Sequence, residues 1–237
     1  MSKPQLVILP GWGGTIESWK NFSDLAKKDF EVYCLELPCF GDEPCPSEVW
    51  GVENYAEFVK QKIKKLNLIK LVLLGHSFGG QVAAYLAAKE PQLISRLILS
   101  GAAAIRPELN LKRFIFSLIA KIGKIFFSLP LIKNLSAPAQ KLLYRLADSP
   151  DYEKTSGIKR EIFKKIIRQD LTEDLKKITT PTLIVWGDRD SYVSLASGKK
   201  IAALIPNSQL EIITDGKHGL HLQMPEKLYS IVKNFIN

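Results

Sequence analysis

Ser77 stands in Gly75-His76-Ser77-Phe78-Gly79, with a continuous apolar run before it and an alanine-rich, helix-favouring stretch after it. A G-x-S-x-G pattern between a strand and a helix makes a sharp turn that lifts the serine hydroxyl out at the carboxyl end of a sheet, beside the free N–H groups of a helix start. The flanking glycines let strand and helix approach without side-chain clashes. The chemistry this suggests is nucleophilic attack by Ser77 on an acyl carbonyl.

A serine hydroxyl is a weak nucleophile at its own pKa and needs a neighbouring base. The chain has only three histidines. His76 adjoins Ser77 within the turn and reads as structural. His218 lies in Asp215-Gly216-Lys217-His218-Gly219, directly after the last strand-like run, and is the favoured base; His221, three residues on, is the alternative. The imidazole in turn needs a carboxylate to hold its tautomer and stabilise the imidazolium. Gly187-Asp188-Arg189-Asp190 follows another strand-like run. Asp190 is favoured as that acid, because Asp188 follows the glycine at once and suits a turn.

Acyl transfer also needs N–H donors for the developing oxyanion. The backbone N–H of Phe78 is one candidate. The N–H of Trp12, in the glycine-rich loop Pro10-Gly11-Trp12-Gly13-Gly14, is the other, and its side chain would wall an acyl pocket. A turn-only role for that glycine cluster stays open.

These residues need a scaffold that brings loops from distant parts of the chain together. Apolar runs suited to buried strands recur at 5–9, 31–37, 70–74, 96–100, 182–186 and 209–214. Most are separated by helix-period segments, including 15–28, 54–66, 78–89, 197–204 and 225–235. Such alternation predicts an α/β fold: a mostly parallel sheet with helices on both faces and right-handed crossovers. Ligands on such sheets bind beyond the carboxyl ends of the strands, where each candidate residue falls.

The alternation breaks at 105–170, where Pro107, Pro130, Pro138 and Pro150 punctuate helix-like sequence. The expected organisation is a core at 1–104, a helical cap at 105–170 and the rest of the core at 171–237. On a helical wheel of about 100° per residue, segment 109–129 gathers Arg113, Lys121 and Lys124 on one narrow arc and is apolar around most of the remainder. Phe114, Leu118 and Ile122 from that apolar arc are the expected substrate-pocket residues. A helix lying on an anionic lipid surface is the rival reading.

Composition narrows the classes further. The chain has 237 residues, 46% hydrophobic and 24% charged, as an ordinary globular protein would. No stretch of about 18 uncharged apolar residues is present, so no transmembrane segment is expected. The first strand candidate begins too early for a secretory signal, which points to the cytoplasm. A net charge of +9 suits either an acidic partner or solvated lysine faces, the latter being favoured. No RNA-binding signature or aromatic-interleaved basic run suggests nucleic acid. Cys34, Cys39 and Cys45 lack zinc-ligand spacing. A Cys39–Cys45 bridge is conceivable, but the odd count and missing signal favour free thiols.

In chain order Ser77, Asp190 and His218 follow the sequence of an α/β-hydrolase triad, and the chain resembles that superfamily over essentially its whole length outside the cap. Gly75–Gly80 resembles the family's nucleophile elbow. Trp186-Gly187-Asp188-Arg189-Asp190 is similar to its acid loop, and 218–226 to its histidine loop and closing helix. Pro10 stands where the family often has histidine, as in relatives resembling the pimeloyl-carrier-protein methyl esterases. Glu36-Leu37-Pro38-Cys39-Phe40-Gly41-Asp42 departs from the family's Asp-x-Pro-Gly-x-Gly, which leaves that loop and Glu36 without an assigned role. The resemblance implies a serine esterase acting on a small acyl ester, presented by an acidic carrier in one version, with no cofactor and no metal. Thioester or carbon–carbon bond hydrolysis by the same triad is the enzymatic alternative. A non-catalytic binding module is the alternative of another class.

Overall fold

The computed structural model describes residues 3–106 and 155–236. Six strands form one all-parallel sheet in the order β2-β1-β3-β4-β5-β6. They are β1 (Gln5–Leu9), β2 (Glu31–Cys34), β3 (Leu71–His76), β4 (Ile94–Ser100), β5 (Thr182–Gly187) and β6 (Ser208–Ile213). The described helices are α1 (Lys20–Ala26), α2 (Val52–Lys65), α3 (Phe78–Lys89), α4 (Gly157–Ile166), α5 (Thr172–Leu175), α6 (Leu195–Leu204), α7 (Leu220–Gln223) and α8 (Pro225–Ile236).

Because successive side chains on a strand point to opposite faces, the central strands serve two cores at once. Val7, Leu9, Leu71, Leu73, Leu97 and Leu99 pack with Tyr55, Val59 and Ile63 of α2 and Val82 and Leu86 of α3. Leu6, Ile8, Val72, Leu74 and Ile98 pack on the other face with Phe22 and Ala26 of α1 and Leu228 and Val232 of α8. All six residues of β3 and of β5 are buried, which explains why these strands read as unbroken apolar runs.

Several boundaries differ from the sequence expectation. The strand expected over 31–37 ends at Cys34, because the Glu36 carboxylate draws the chain into a loop: it accepts the N–H of Ile16 at 3.0 Å and of Asp42 at 2.9 Å. Segment 15–28 is not one helix. A 3-10 turn at Glu17–Trp19 precedes α1, and the break at Trp19 turns its indole fully inward.

The free-thiol expectation is corrected: Cys39 and Cys45 form a disulfide, and Cys34 is the free cysteine. The loop doubles back to allow it. Left-handed backbone at Cys39 (φ 77°) and Gly41 (φ 55°), with Cys39 N–H donated to the Glu43 carbonyl at 3.1 Å, brings the two Cα atoms to 4.1 Å. The Cys34 thiol is pushed up to about 12 by burial, with the Glu36 charge adding to it.

After β4 the chain leaves the sheet, and of the described helices that precede β5, α4 comes first. It is tied to the core at several points. Ile162 and Ile166 are buried, and the Gln81 side chain of α3 donates to the carbonyls of Ile166 and Gln169, each at 3.2 Å. Gln169 in turn accepts the Val52 N–H at 2.8 Å and donates to Glu53 at 2.7 Å, gripping the start of α2. The expected pocket residues Phe114, Leu118 and Ile122, and the helix expected over 109–129, lie outside the described residues.

Candidate active site

Four loops meet beyond the carboxyl edge of the sheet, following β1, β3, β5 and β6. Ser77, between β3 and α3, has φ 51° and ψ −114°, a conformation that costs an L-residue energy and is held by its surroundings. Ser77 N–H donates to the Ser100 carbonyl at 3.1 Å, and the Ser77 carbonyl accepts from Ala103 at 3.0 Å and Gln81 at 3.1 Å. Glycines leave the necessary room. A Cβ on Gly79 would fall 2.2 Å from the Leu9 carbonyl oxygen, and one on Gly75 2.4 Å from the Gly79 carbonyl oxygen. Gly11 presses on the turn from the β1 loop, where a Cβ would lie 3.1 Å from Ser77 Cβ.

His218 Nδ1 lies 2.7 Å from Asp190 Oδ2. The other carboxylate oxygen of Asp190 accepts the N–H groups of Tyr192 at 2.8 Å and Val193 at 2.9 Å. All of this fixes the carboxylate, whose side chain is 1% exposed, against an imidazole that is 15% exposed. With Nδ1–H given to the carboxylate, Nε2 keeps its lone pair and can act as a base. The Tyr192 ring stacks on His218 at 5.1 Å. Gly101, at the end of β4 with φ +55°, backs the pair: a Cβ there would lie 3.2 Å from His218 Nδ1 and 3.3 Å from Asp190 Oδ2. Ser77 Oγ makes no hydrogen bond to any described residue.

The remaining histidines and the second aspartate sit differently. His76 is buried, with Nδ1 at 2.9 Å from the Ser100 carbonyl, and its ring centroid is 4.7 Å from that of His218. Burial, with the nearby imidazoles, holds its pKa well below the usual histidine value. His221 stacks face to face on Trp19 with centroids 4.0 Å apart, and its Nδ1 has no hydrogen-bond partner among the described residues. Its pKa is lowered to about 4, first by burial and then by His218. Asp188 is exposed; its N–H continues the ladder to the Ile213 carbonyl.

Neither Trp12 N–H nor Phe78 N–H donates to the backbone of another described residue. The Trp12 indole is enclosed by aromatic rings. Phe40 lies at 4.8 Å, Phe163 of α4 at 4.9 Å and Phe78 at 5.7 Å between centroids. The enclosure draws on the loops after β1 and β2 and on helices α3 and α4, and no local pattern in the sequence marks Phe40 or Phe163. The same holds for Tyr192 and Gly101, which are visible only once their strands are adjacent. Among the described residues no group of three or more His, Cys, Asp and Glu side chains is arranged to hold a metal ion. No helix among them is long and apolar enough to cross a membrane.

Comparison with known proteins places these features in context. Residues 4–225 match the family model described as the alpha/beta hydrolase fold. An uncharacterized hydrolase of Bacillus subtilis, YugF, is 29% identical over 98% of this chain and 89% of its own length. The monoacylglycerol lipase ABHD6 of Homo sapiens is 23% identical over 99% of this chain and 75% of its own. The crystal structure of a hydrolase from Pseudomonas aeruginosa PA01 superposes with a TM-score of 0.75 at 22% identity, covering 99% of this chain and 90% of that one.

Proposed function

The chain belongs to the alpha/beta hydrolase family, and from that premise we propose that it is a serine hydrolase cleaving carboxylic esters through Ser77, His218 and Asp190. The observation that carries this reading is the His218–Asp190 pair at 2.7 Å, set at the carboxyl edge where β3 delivers a serine in strained backbone geometry.

In this reading Ser77 Oγ attacks the ester carbonyl while His218 Nε2 removes its proton. The oxygen of the tetrahedral intermediate is met by the N–H groups of Trp12 and Phe78. Asp190, held by two backbone donors, keeps Nδ1–H in place and stabilises the imidazolium. Collapse breaks the ester C–O bond, and His218 gives its proton to the departing alcohol. Water, deprotonated by His218, then releases the acid and restores Ser77. His221 does not substitute in this scheme, because its ring is stacked on Trp19 and no carboxylate among the described residues holds its Nδ1. Helix α4, described between β4 and β5, contributes Phe163 to the wall beside Trp12.

A fluorophosphonate probe should label the folded protein on Ser77 at neutral pH, and Ser77→Ala should abolish both labelling and hydrolysis of short-chain p-nitrophenyl esters. Labelling that persists in the Ser77→Ala variant would overturn the nucleophile.

A further inference from the structure

Lys159 enters the aromatic enclosure from α4. Its Nζ lies 4.3 Å from the centroid of the Phe40 ring and 6.0 Å from that of Trp12, and it donates to the Cys39 carbonyl at 2.9 Å. No carboxylate among the described residues pairs with it. Its neighbours on the same helix behave otherwise: Lys164 pairs with Glu161 at 2.7 Å and Lys165 with Glu53 at 3.4 Å.

The position is also fixed. Beyond the grip of Gln81 and Gln169 on the end of α4, Lys165 donates to the Val49 carbonyl at 3.2 Å. The carbonyl that receives Lys159 belongs to a residue locked by the Cys39–Cys45 disulfide. The ammonium is half-buried, and desolvation holds its pKa below the ordinary lysine value. A half-desolvated cation with one neutral acceptor and two aromatic faces retains donors for an anion.

We propose that Lys159 determines specificity at this site: its ammonium selects esters whose acyl chain ends in an oxyanion group, a carboxylate or a phosphonate-type phosphorus acid. The inference rests on the serine-hydrolase reading, in which Trp12 N–H holds the ester oxygen and the acyl chain continues along the Trp12 ring. Lys159 Nζ lies 6.0 Å from the centroid of that ring. An anion there gains a charge-assisted hydrogen bond at a half-buried ammonium, where it is stronger than at an exposed lysine.

The test compares kcat/KM for p-nitrophenyl valerate, mono-p-nitrophenyl glutarate and the p-nitrophenyl ester of 4-phosphonobutyric acid. The wild-type protein should prefer at least one anionic ester over valerate, and the two anionic arms tell carboxylate from phosphonate. Lys159→Met should cut that anionic-to-neutral ratio at least tenfold, mainly through KM, and Lys159→Arg should restore most of it. Lys176→Met, which removes an exposed lysine paired with Glu173, should leave the ratio at its wild-type value. An unchanged ratio in folded Lys159→Met, or an equal fall in Lys176→Met, would overturn the assignment. Should no ester be hydrolysed at all, the hydrolase reading fails by itself. Calorimetric titration of monomethyl glutarate into Ser77→Ala, with and without Lys159→Met, then decides the anion site: Lys159-dependent binding upholds it, and its absence overturns it.

Discussion

Gly187 and Gly216 touch: a Cβ on Gly187 would lie 2.1 Å from the Gly216 carbonyl oxygen. The contact joins the loop carrying Asp190 to the loop carrying His218. Two further links close the same seam, Arg189 N–H to the Gly216 carbonyl at 2.9 Å and the Arg189 guanidinium to Asp215 at 2.5 Å. Gln223 of α7 adds a brace by accepting Lys217 N–H at 2.8 Å. The 2.7 Å spacing of His218 and Asp190 is therefore set by backbone packing, and the two side chains do not have to hold each other in place.

Gly187→Ala should accordingly damage catalysis as well as folding. The obstacle is backbone, so the loops must part, at a stability cost on the order of 3 kcal/mol. A displacement of about 1 Å between acid and base should lower kcat roughly a hundredfold in the fraction that folds. Gly219→Ala meets nothing closer than 3.5 Å and should keep stability within about 0.5 kcal/mol. Denaturant titration and ester kinetics on the two variants check both statements.

Asp190→Asn should lower kcat by about a thousandfold or more while the protein stays folded. The amide oxygen can still accept the N–H groups of Tyr192 and Val193, but the tautomer of His218 is no longer enforced. Asp188→Asn, at an exposed position, should retain activity within a few fold. Steady-state kinetics with any accepted ester distinguishes the two aspartates.

Stability should fall with acid in a window set by the buried imidazoles. Both His76 and His221 have folded-state pKa values below the unfolded 6.5, His221 at about 4. Below about pH 6.5 the unfolded chain binds protons that the folded chain refuses, so stability is complete above that pH and is lost as pH drops towards 4. His221 alone should account for a loss on the order of 3 kcal/mol across that window. His221→Phe, which keeps a ring on Trp19 but cannot titrate, should flatten the pH dependence of urea-derived stability.

The disulfide predicts a thiol count. Denatured but unreduced protein should take up one alkylating group, on Cys34, and three after reduction, by intact mass. In the native state Cys34 should react slowly, because burial and the Glu36 charge suppress its thiolate. Cys45→Ser should lower stability by about 2 kcal/mol, the chain-entropy value for so short a loop.

Much of this architecture was legible in the chain. Leu71–Leu74 of β3 and Leu183–Trp186 of β5 are apolar throughout because both faces of those strands are covered, and such runs are unambiguous when turn signals bound them. Gly75-His76-Ser77-Phe78-Gly79 announced the turn after β3 because steric limits there admit almost nothing but glycine at the flanks. The early end of β2 and the break at Trp19 were not legible. A contact between residues apart in sequence accompanies each of them: the Glu36 carboxylate accepts the Ile16 N–H at the first, and an indole fits against His221 at the second.

The sequence by itself therefore determined the strand–helix alternation, the parallel sheet and the residue types available at its carboxyl edge, since local periodicity and backbone sterics suffice for these. Only the tertiary structure decided which histidine meets a carboxylate, that Cys39 and Cys45 are joined, and that Trp12, Phe40, Phe163 and Lys159 form one wall. Apart from the disulfide, which closes a single loop, those are relations between segments far apart in the chain. They depend on sheet order and on contacts such as Gly187 with Gly216, where the allowed approach of two backbones sets the geometry and no single segment records it.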